Sequence, residues 1–304
     1  MIISRTPLRI SFVGSDFGNG AVVSSTINKY MYISVNRKFD GKLKVAYTKT
    51  EIVDTADDLE HDLARCSLTL LNLKDGLEVS SICDIPAGTG LGSSGAYTVG
   101  LLRALHWYKG EDVNQHELAE EACEVEINMC GKKIGKQDQY ASACGGLLYL
   151  EFGKKVDIYS AHCSNETKKK LENNLLMFYT GFTRPEEIIN ELNKKTLEEM
   201  SGLARKLRED LLKDDLSNFG DLLSRGWELK KTRSDKISTP EIDDWCKTAM
   251  ENGAEGGKLL GAGGGGFLLF YAPKEKHQKI IDSLPLKVEP FSFEEWGSDI
   301  IYAD

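Results

Sequence analysis

The residues best equipped for chemistry lie in Pro86-Ala-Gly88-Thr-Gly90-Leu91-Gly92-Ser93-Ser94-Gly95, where four glycines surround two adjacent hydroxyls. Glycine lets backbone N–H groups turn inward and approach a ligand closely. A helix-forming stretch follows through Leu105, and a helix N-terminus behind such a loop adds a positive dipole end. The matching ligand is a chain of phosphates, with the serines placed to assist a metal ion riding on it. Gly90-Leu-Gly92-Ser-Ser-Gly95 also fits the dinucleotide fingerprint, but only weakly. That fingerprint follows the first strand of its domain and has an acidic residue on a later strand end, whereas Glu111 and Glu117 lie in helical or loop surroundings. The Walker pattern fails because no Gly-Lys-Ser/Thr follows the glycines.

Asp138 is the second candidate. It lies in Gly131-Lys-Lys-Ile-Gly-Lys136-Gln-Asp138-Gln-Tyr140, which reads as a glycine-punctuated polar loop with Lys136 as a neighbouring positive charge. A carboxylate that accepts a hydroxyl proton is what phosphoryl transfer to an alcohol needs. Upstream, Glu126 falls on a helical stretch and could join Ser94 around Mg²⁺, an ion usually held by one or two carboxylates plus phosphate oxygens. Most single carboxylates are solvated surface charges, and Glu120, Glu121 and Glu124 read that way. A third segment, Gly261-Ala-Gly-Gly-Gly-Gly266, runs directly into the apolar Phe267 to Tyr271. A flexible linker would not, so close backbone approach to a ligand or a neighbouring segment is favoured. Asp16-Phe17-Gly18 spells the magnesium tripeptide of protein kinases but precedes the glycine loop, and no His-Arg-Asp segment accompanies it. The five histidines show no metal-ligand spacing, and no Gly-x-Ser-x-Gly elbow occurs.

Composition sets the frame. The chain has 304 residues, 41% hydrophobic, enough for one large or two medium domains with a real core. A net charge of −9 argues against a general nucleic-acid surface but leaves room for an anionic small substrate. Seven cysteines without a CxxC pair read as reduced, packed thiols. Without a secretory-type start or a membrane-length apolar run, a cytoplasmic protein with no membrane partner is expected.

These residues must be positioned by strands and helices in two units. Strand patterns cover 8–13, 21–23, 30–36, 43–47, 77–85, 147–152, 156–159, 175–179 and 267–271. Helical spacing covers 57–73, 94–108, 115–130 with Asn114 as N-cap, two helices within 185–231 and one at 239–252. The polar run from Asn165 to Asn174 carries few apolar residues and marks the boundary, giving units 1–165 and 166–304 and an α+β class.

Taken in order, the three glycine-containing segments resemble those of the GHMP small-molecule kinases. The segment from Pro86 looks like that family's ATP-phosphate loop, Gln137-Asp138-Gln139 its catalytic-aspartate segment, and Lys258-Leu-Leu-Gly-Ala-Gly-Gly-Gly-Gly266 its third motif. Within the family, Ile3 to Phe12, Gly135 to Tyr140 and Thr180-Gly-Phe-Thr-Arg184 are similar to the bacterial D-glycero-D-manno-heptose 7-phosphate kinases. The resemblance implies an N-terminal domain like the second domain of ribosomal protein S5 and a ferredoxin-like C-terminal domain. It also implies ATP and Mg²⁺ as cofactors, a sugar phosphate as partner, and transfer to the anomeric hydroxyl; a homo-oligomer is compatible with it.

Carried onto this chain, the resemblance makes Asp138 the base or the residue that orients the acceptor hydroxyl, with Arg9 near the transferred phosphate. Pro86, Gly88, Gly90, Leu91, Gly92, Ser93, Ser94, Gly263 and Gly264 would border the nucleotide, and Ser94 with Glu126 would hold Mg²⁺. Asp16 and Gly265 would meet the acceptor; Lys136 and Arg184 are assigned to its phosphate from their charge alone. Phe12-Val-Gly-Ser-Asp16-Phe-Gly-Asn-Gly20 is shorter than the family pattern, as is the segment after Arg184. A different acceptor, a relative that binds nucleotide without catalysis, and a dinucleotide-dependent dehydrogenase are the competing readings.

Overall fold

The structure, a computed structural model, describes residues 1–183 and 193–304. The N-terminal apolar alternation folds as one long hairpin, β1 (Ile2–Ser15) against β2 (Ala21–Arg37). The short strands expected there are parts of these two, because register shifts after Pro7 and Ser11 let the ladder bend without ending. Beyond the hairpin come β3 (Leu43–Ala46), β4 (Thr50–Val53), α1 (Asp62–Leu70) and β5 (Leu77–Cys83). β2 is long enough to hold two neighbours: Met31 to Arg37 pair with β5, and Ala21 to Ser25 with β6 (Leu147–Phe152). β7 (Val156–Ser160) pairs with β6.

Three helices cover this sheet near the site: α2 (Ser93–Lys109), α3 (Gln115–Cys123) and α4 (Gln137–Cys144). α2 is buried almost continuously from Gly95 to His106 and ends at the left-handed Gly110. Asn114 caps α3 as expected, through a capping box with Glu117.

A second sheet collects β8 (Leu175–Tyr179), β9 (Gly256–Leu259), β10 (Phe267–Tyr271) and β11 (Lys287–Val288), antiparallel in the order β11-β8-β10-β9. With α6 (Lys194–Leu211), α7 (Phe219–Lys231) and α8 (Pro240–Glu251) before β9, and α9 (His277–Ser283) after β10, this is the split βαβ order of ferredoxin-like units. The polar run after Ser164 is not a linker. It forms α5 (Asn165–Asn173), capped by Ser164 and anchored by buried Thr167 and Leu171, too few apolar residues for the pattern to register as a helix.

The chain thus passes from one sheet to the other near residue 165, but its last strand, β12 (Asp299–Ala303), returns to pair with β1. α6 and α7 also pack on β1, so one apolar core runs from Leu8 and Phe12 into Leu203, Phe219 and Leu223. The two units share that core. No helix among the described residues is long and apolar enough to cross a membrane.

Candidate active site

The glycines of the first segment owe their place to backbone packing. Gly90 takes φ +84°, and a Cβ on it would lie 2.5 Å from the Leu260 carbonyl oxygen; one on Gly261 would lie 2.2 Å from the Gly90 Cα. The first and third glycine segments therefore touch backbone to backbone. Gly92, at φ +75°, caps α2, whose first N–H groups have no partner inside the helix. A Cβ on Gly95 would meet the Asp138 Cβ at 2.8 Å, so the first turns of α2 and α4 are in contact.

Asp138 is helical rather than looped: it lies in the first turn of α4. The glycines around it concealed this, because Gly135 lies before the helix and Gly145 after it. Its charged neighbour is Arg9 on β1, not Lys136. Arg9 Nε and Nη2 donate to Asp138 Oδ1 at 2.8 and 2.7 Å, and Nη1 donates to the Gly90 carbonyl at 2.6 Å. Arg9 is buried while the Asp138 side chain stays 30% exposed, leaving Oδ2 on the side facing Gly92. Lys136 lines a separate crevice with Glu120, Glu124, Lys154 and Lys155. Arg184 lies outside the described residues.

Glu126 occupies a π-helical turn, Glu124–Met129, that continues α3. The wider turn departs from ordinary helical spacing at a point where such bulges commonly serve a site. Glu126 is fully buried and accepts hydrogen bonds from Ser94 Oγ and from Gln139 Nε2, the latter at 2.7 Å. Burial pushes its carboxyl above the usual range, and those two neutral donors only partly offset this. The structure thus brings Ser94 and Glu126 together at the N-terminus of α2.

Asp16, just past β1, accepts from the Gln137 N–H at 3.1 Å, next to Asp138. Gly135 makes this possible, since a Cβ there would lie 1.9 Å from Asp16 Oδ2. Burial and the nearby Asp138 charge push the Asp16 carboxyl upward. The third glycine segment holds neighbouring protein: the Gly264 N–H donates to the Ile237 carbonyl at 2.9 Å, and Gly263 packs on Ile237. Gly265 packs on Phe182, and the Gly266 N–H reaches the Phe182 carbonyl at 3.0 Å.

Pattern reasoning missed Lys258. On β9, its buried Nζ donates to the Phe12 carbonyl at 2.7 Å and ties the second sheet to β1. Burial, with Arg9 nearby, pushes its pKa down to about 7. Between about 7 and its ordinary 10.5 the unfolded chain alone holds this proton, so stability climbs with pH. Relative to Lys258→Met, wild-type stability is expected to gain up to about 1.4 kcal/mol per pH unit above pH 7 in urea melts. A flat difference from pH 7 to 9 would rule out a depressed Lys258.

Known proteins match this arrangement. Residues 52–146 fit the profile of the GHMP kinases N terminal domain, and residues 207–289 that of the GHMP kinases C terminal domain. The chain belongs to the GHMP kinases. This GHMP kinase is 29% identical to a D-glycero-alpha-D-manno-heptose 7-phosphate kinase of Campylobacter jejuni, across 97% of both chains. It is 31% identical to a mevalonate kinase of Methanothermobacter thermautotrophicus, across 69% of each. Among solved structures, a D-glycero-D-manno-heptose 1-phosphate kinase of Bacteroides thetaiotaomicron superposes with TM-score 0.80 at 25% identity over 100% of both chains. A GHMP kinase is ATP-dependent, which removes the dinucleotide reading of the glycine loop.

Proposed function

We propose that this kinase transfers the γ-phosphoryl group of ATP to the anomeric hydroxyl of D-glycero-D-manno-heptose 7-phosphate, giving the 1,7-bisphosphate. The observation that carries the reading is the Arg9–Asp138 pair set against Gly90 and Gly92 of the phosphate loop. The full-length similarity to a heptose 7-phosphate kinase supports the choice of acceptor.

In this reading the loop N–H groups and the α2 N-terminus hold the ATP phosphates. Asp138 Oδ2 accepts the acceptor's hydroxyl proton as its oxygen bonds to the γ-phosphorus and the bond to ADP breaks. Arg9 holds Oδ1 and so orients the carboxylate. Its charge beside Gly90 lies where negative charge builds on the transferred group. Ser94 and Glu126 fit Mg²⁺: Glu126 is a buried carboxylate with only neutral hydrogen-bond donors, a donor set a cation would complete. When bound, the ion would neutralise phosphate charge.

An ADP-release assay across sugars and sugar phosphates tests the proposal, with heptose 7-phosphate expected as the preferred acceptor. Release with no sugar phosphate at all would sink it. Ser94→Ala is expected to raise the Mg²⁺ concentration for half-maximal rate by about tenfold, the scale of losing one metal-supporting contact. An unchanged requirement would move the metal elsewhere. The short turn between β1 and β2 favours one alternative, another sugar or sugar phosphate, and the same panel separates the two.

A further inference from the structure

Arg233 follows α7, at the end of a basic run that sequence alone marks only as a helix terminus. Among the described residues its guanidinium Nε and Nη2, both buried, have no hydrogen-bond partner, and no carboxylate forms an ion pair with it. A buried guanidinium N–H normally has a partner, because leaving it unmade forfeits hydration with nothing in return. The side chain is nevertheless held in place. Its plane lies over the Phe17 ring, 5.5 Å from the centroid. The loop that carries it is tied down at Ile237, whose carbonyl accepts the Gly264 N–H and whose backbone fills the space beside Gly263. The third glycine segment thus fixes an arginine that lacks its partner.

Asp16 shows where that partner would lie. Its carboxylate is the negative charge that Arg233 feels, and Asp16 in turn feels Asp138 and Arg9. Asp16 accepts from the Gln137 N–H beside Asp138, and the next residue, Phe17, lies under the Arg233 guanidinium, so the order across the site is Asp138, Asp16, Arg233. A reacting hydroxyl at Asp138 and a sugar body hydrogen-bonded to Asp16 leave the far end of the acceptor at Arg233. The chemistry that satisfies two guanidinium N–H groups side by side is an oxyanion with several acceptor oxygens, as in a phosphate monoester.

We infer that Arg233 binds the acceptor's own phosphate and so selects phosphorylated over unphosphorylated sugars. This rests on the sugar-phosphate kinase reading above. It replaces Lys136, which faces another crevice, as the phosphate ligand.

The test compares wild type with Arg233→Met and Arg233→Lys. In Arg233→Met the KM for heptose 7-phosphate is expected to rise about 10- to 100-fold, the scale of a lost charged hydrogen bond, with the KM for ATP within about twofold. Preference over the unphosphorylated heptose should largely vanish, and Arg233→Lys should recover part of it. Inorganic phosphate should raise the melting temperature of wild type but not of Arg233→Met.

Unchanged selectivity in Arg233→Met would overturn the inference, as would a parallel rise in the KM for ATP, which would assign Arg233 to the donor phosphates. Should Arg233→Met not fold, Arg233→Lys and Arg233→Gln decide by the same selectivity ratio. If wild type phosphorylates no sugar phosphate, the functional reading fails by itself. The anion site is then judged by phosphate stabilisation, whose absence in wild type would overturn it too.

Discussion

Asp138→Asn is expected to lower kcat by about 10²- to 10⁴-fold, the range for losing a general base, while the KM for ATP changes little. Asparagine keeps the shape and the contact with Gly95 but cannot take up the hydroxyl proton. The substitution also leaves Arg9 buried against a neutral amide, with the Gly90 carbonyl as its remaining strong acceptor. Breaking a fully buried pair costs about 3–5 kcal/mol. Because the Asp138 side chain is 30% exposed, a smaller loss of about 1–2 kcal/mol is expected here. Single-turnover kinetics with saturating ATP, beside a urea melt, separate the two effects. Near-normal turnover would remove Asp138 from the chemistry, and an unchanged melt would show that the Arg9 pair contributes nothing to stability.

Gly261→Ala is expected to damage both fold and activity. A Cβ there would lie 2.2 Å from the Gly90 Cα, and the φ of +69° is unfavourable for alanine. Left-handed strain alone costs about 1–2 kcal/mol; forcing the two glycine segments apart adds a packing cost of about 1–3 kcal/mol. Moving Gly90 also shifts the carbonyl that holds Arg9, so activity should fall more than tenfold at full ATP saturation, as misplacing reacting groups by an ångström does. Gly41→Ala is the control: its φ is +75°, but nothing lies within 4 Å of the added carbon. It should show the backbone strain and keep its activity. Equal effects of the two substitutions on activity would mean that the contact between the glycine segments does not position the site.

Much of the candidate site's backbone could be read along the chain, because its conformation is written in local patterns. Glycines that need positive φ, a serine pair at a helix start and an asparagine cap each declare themselves within a few residues. The strand and helix periods did the same for β5, α2, α7 and β10. Where a period was diluted, it misled. α4 was hidden between glycines, and α5 by its lysines and asparagines.

Burial and pairing depend on partners far away in the chain, and these only the tertiary structure decided. Arg9 meets Asp138 129 residues on, and Lys258 meets Phe12 246 residues back. β12 closes onto β1 from the opposite end of the chain. Arg233 looks like any helix-terminal cation until the fold buries its Nε and Nη2 without a partner among the described residues. The sequence by itself determined the glycine loop at the start of α2, because its backbone conformation is one that glycine encodes locally. The tertiary structure decided which charges are paired, which are desolvated and which still lack a partner, because dielectric environment belongs to the packed core and not to any segment of the chain.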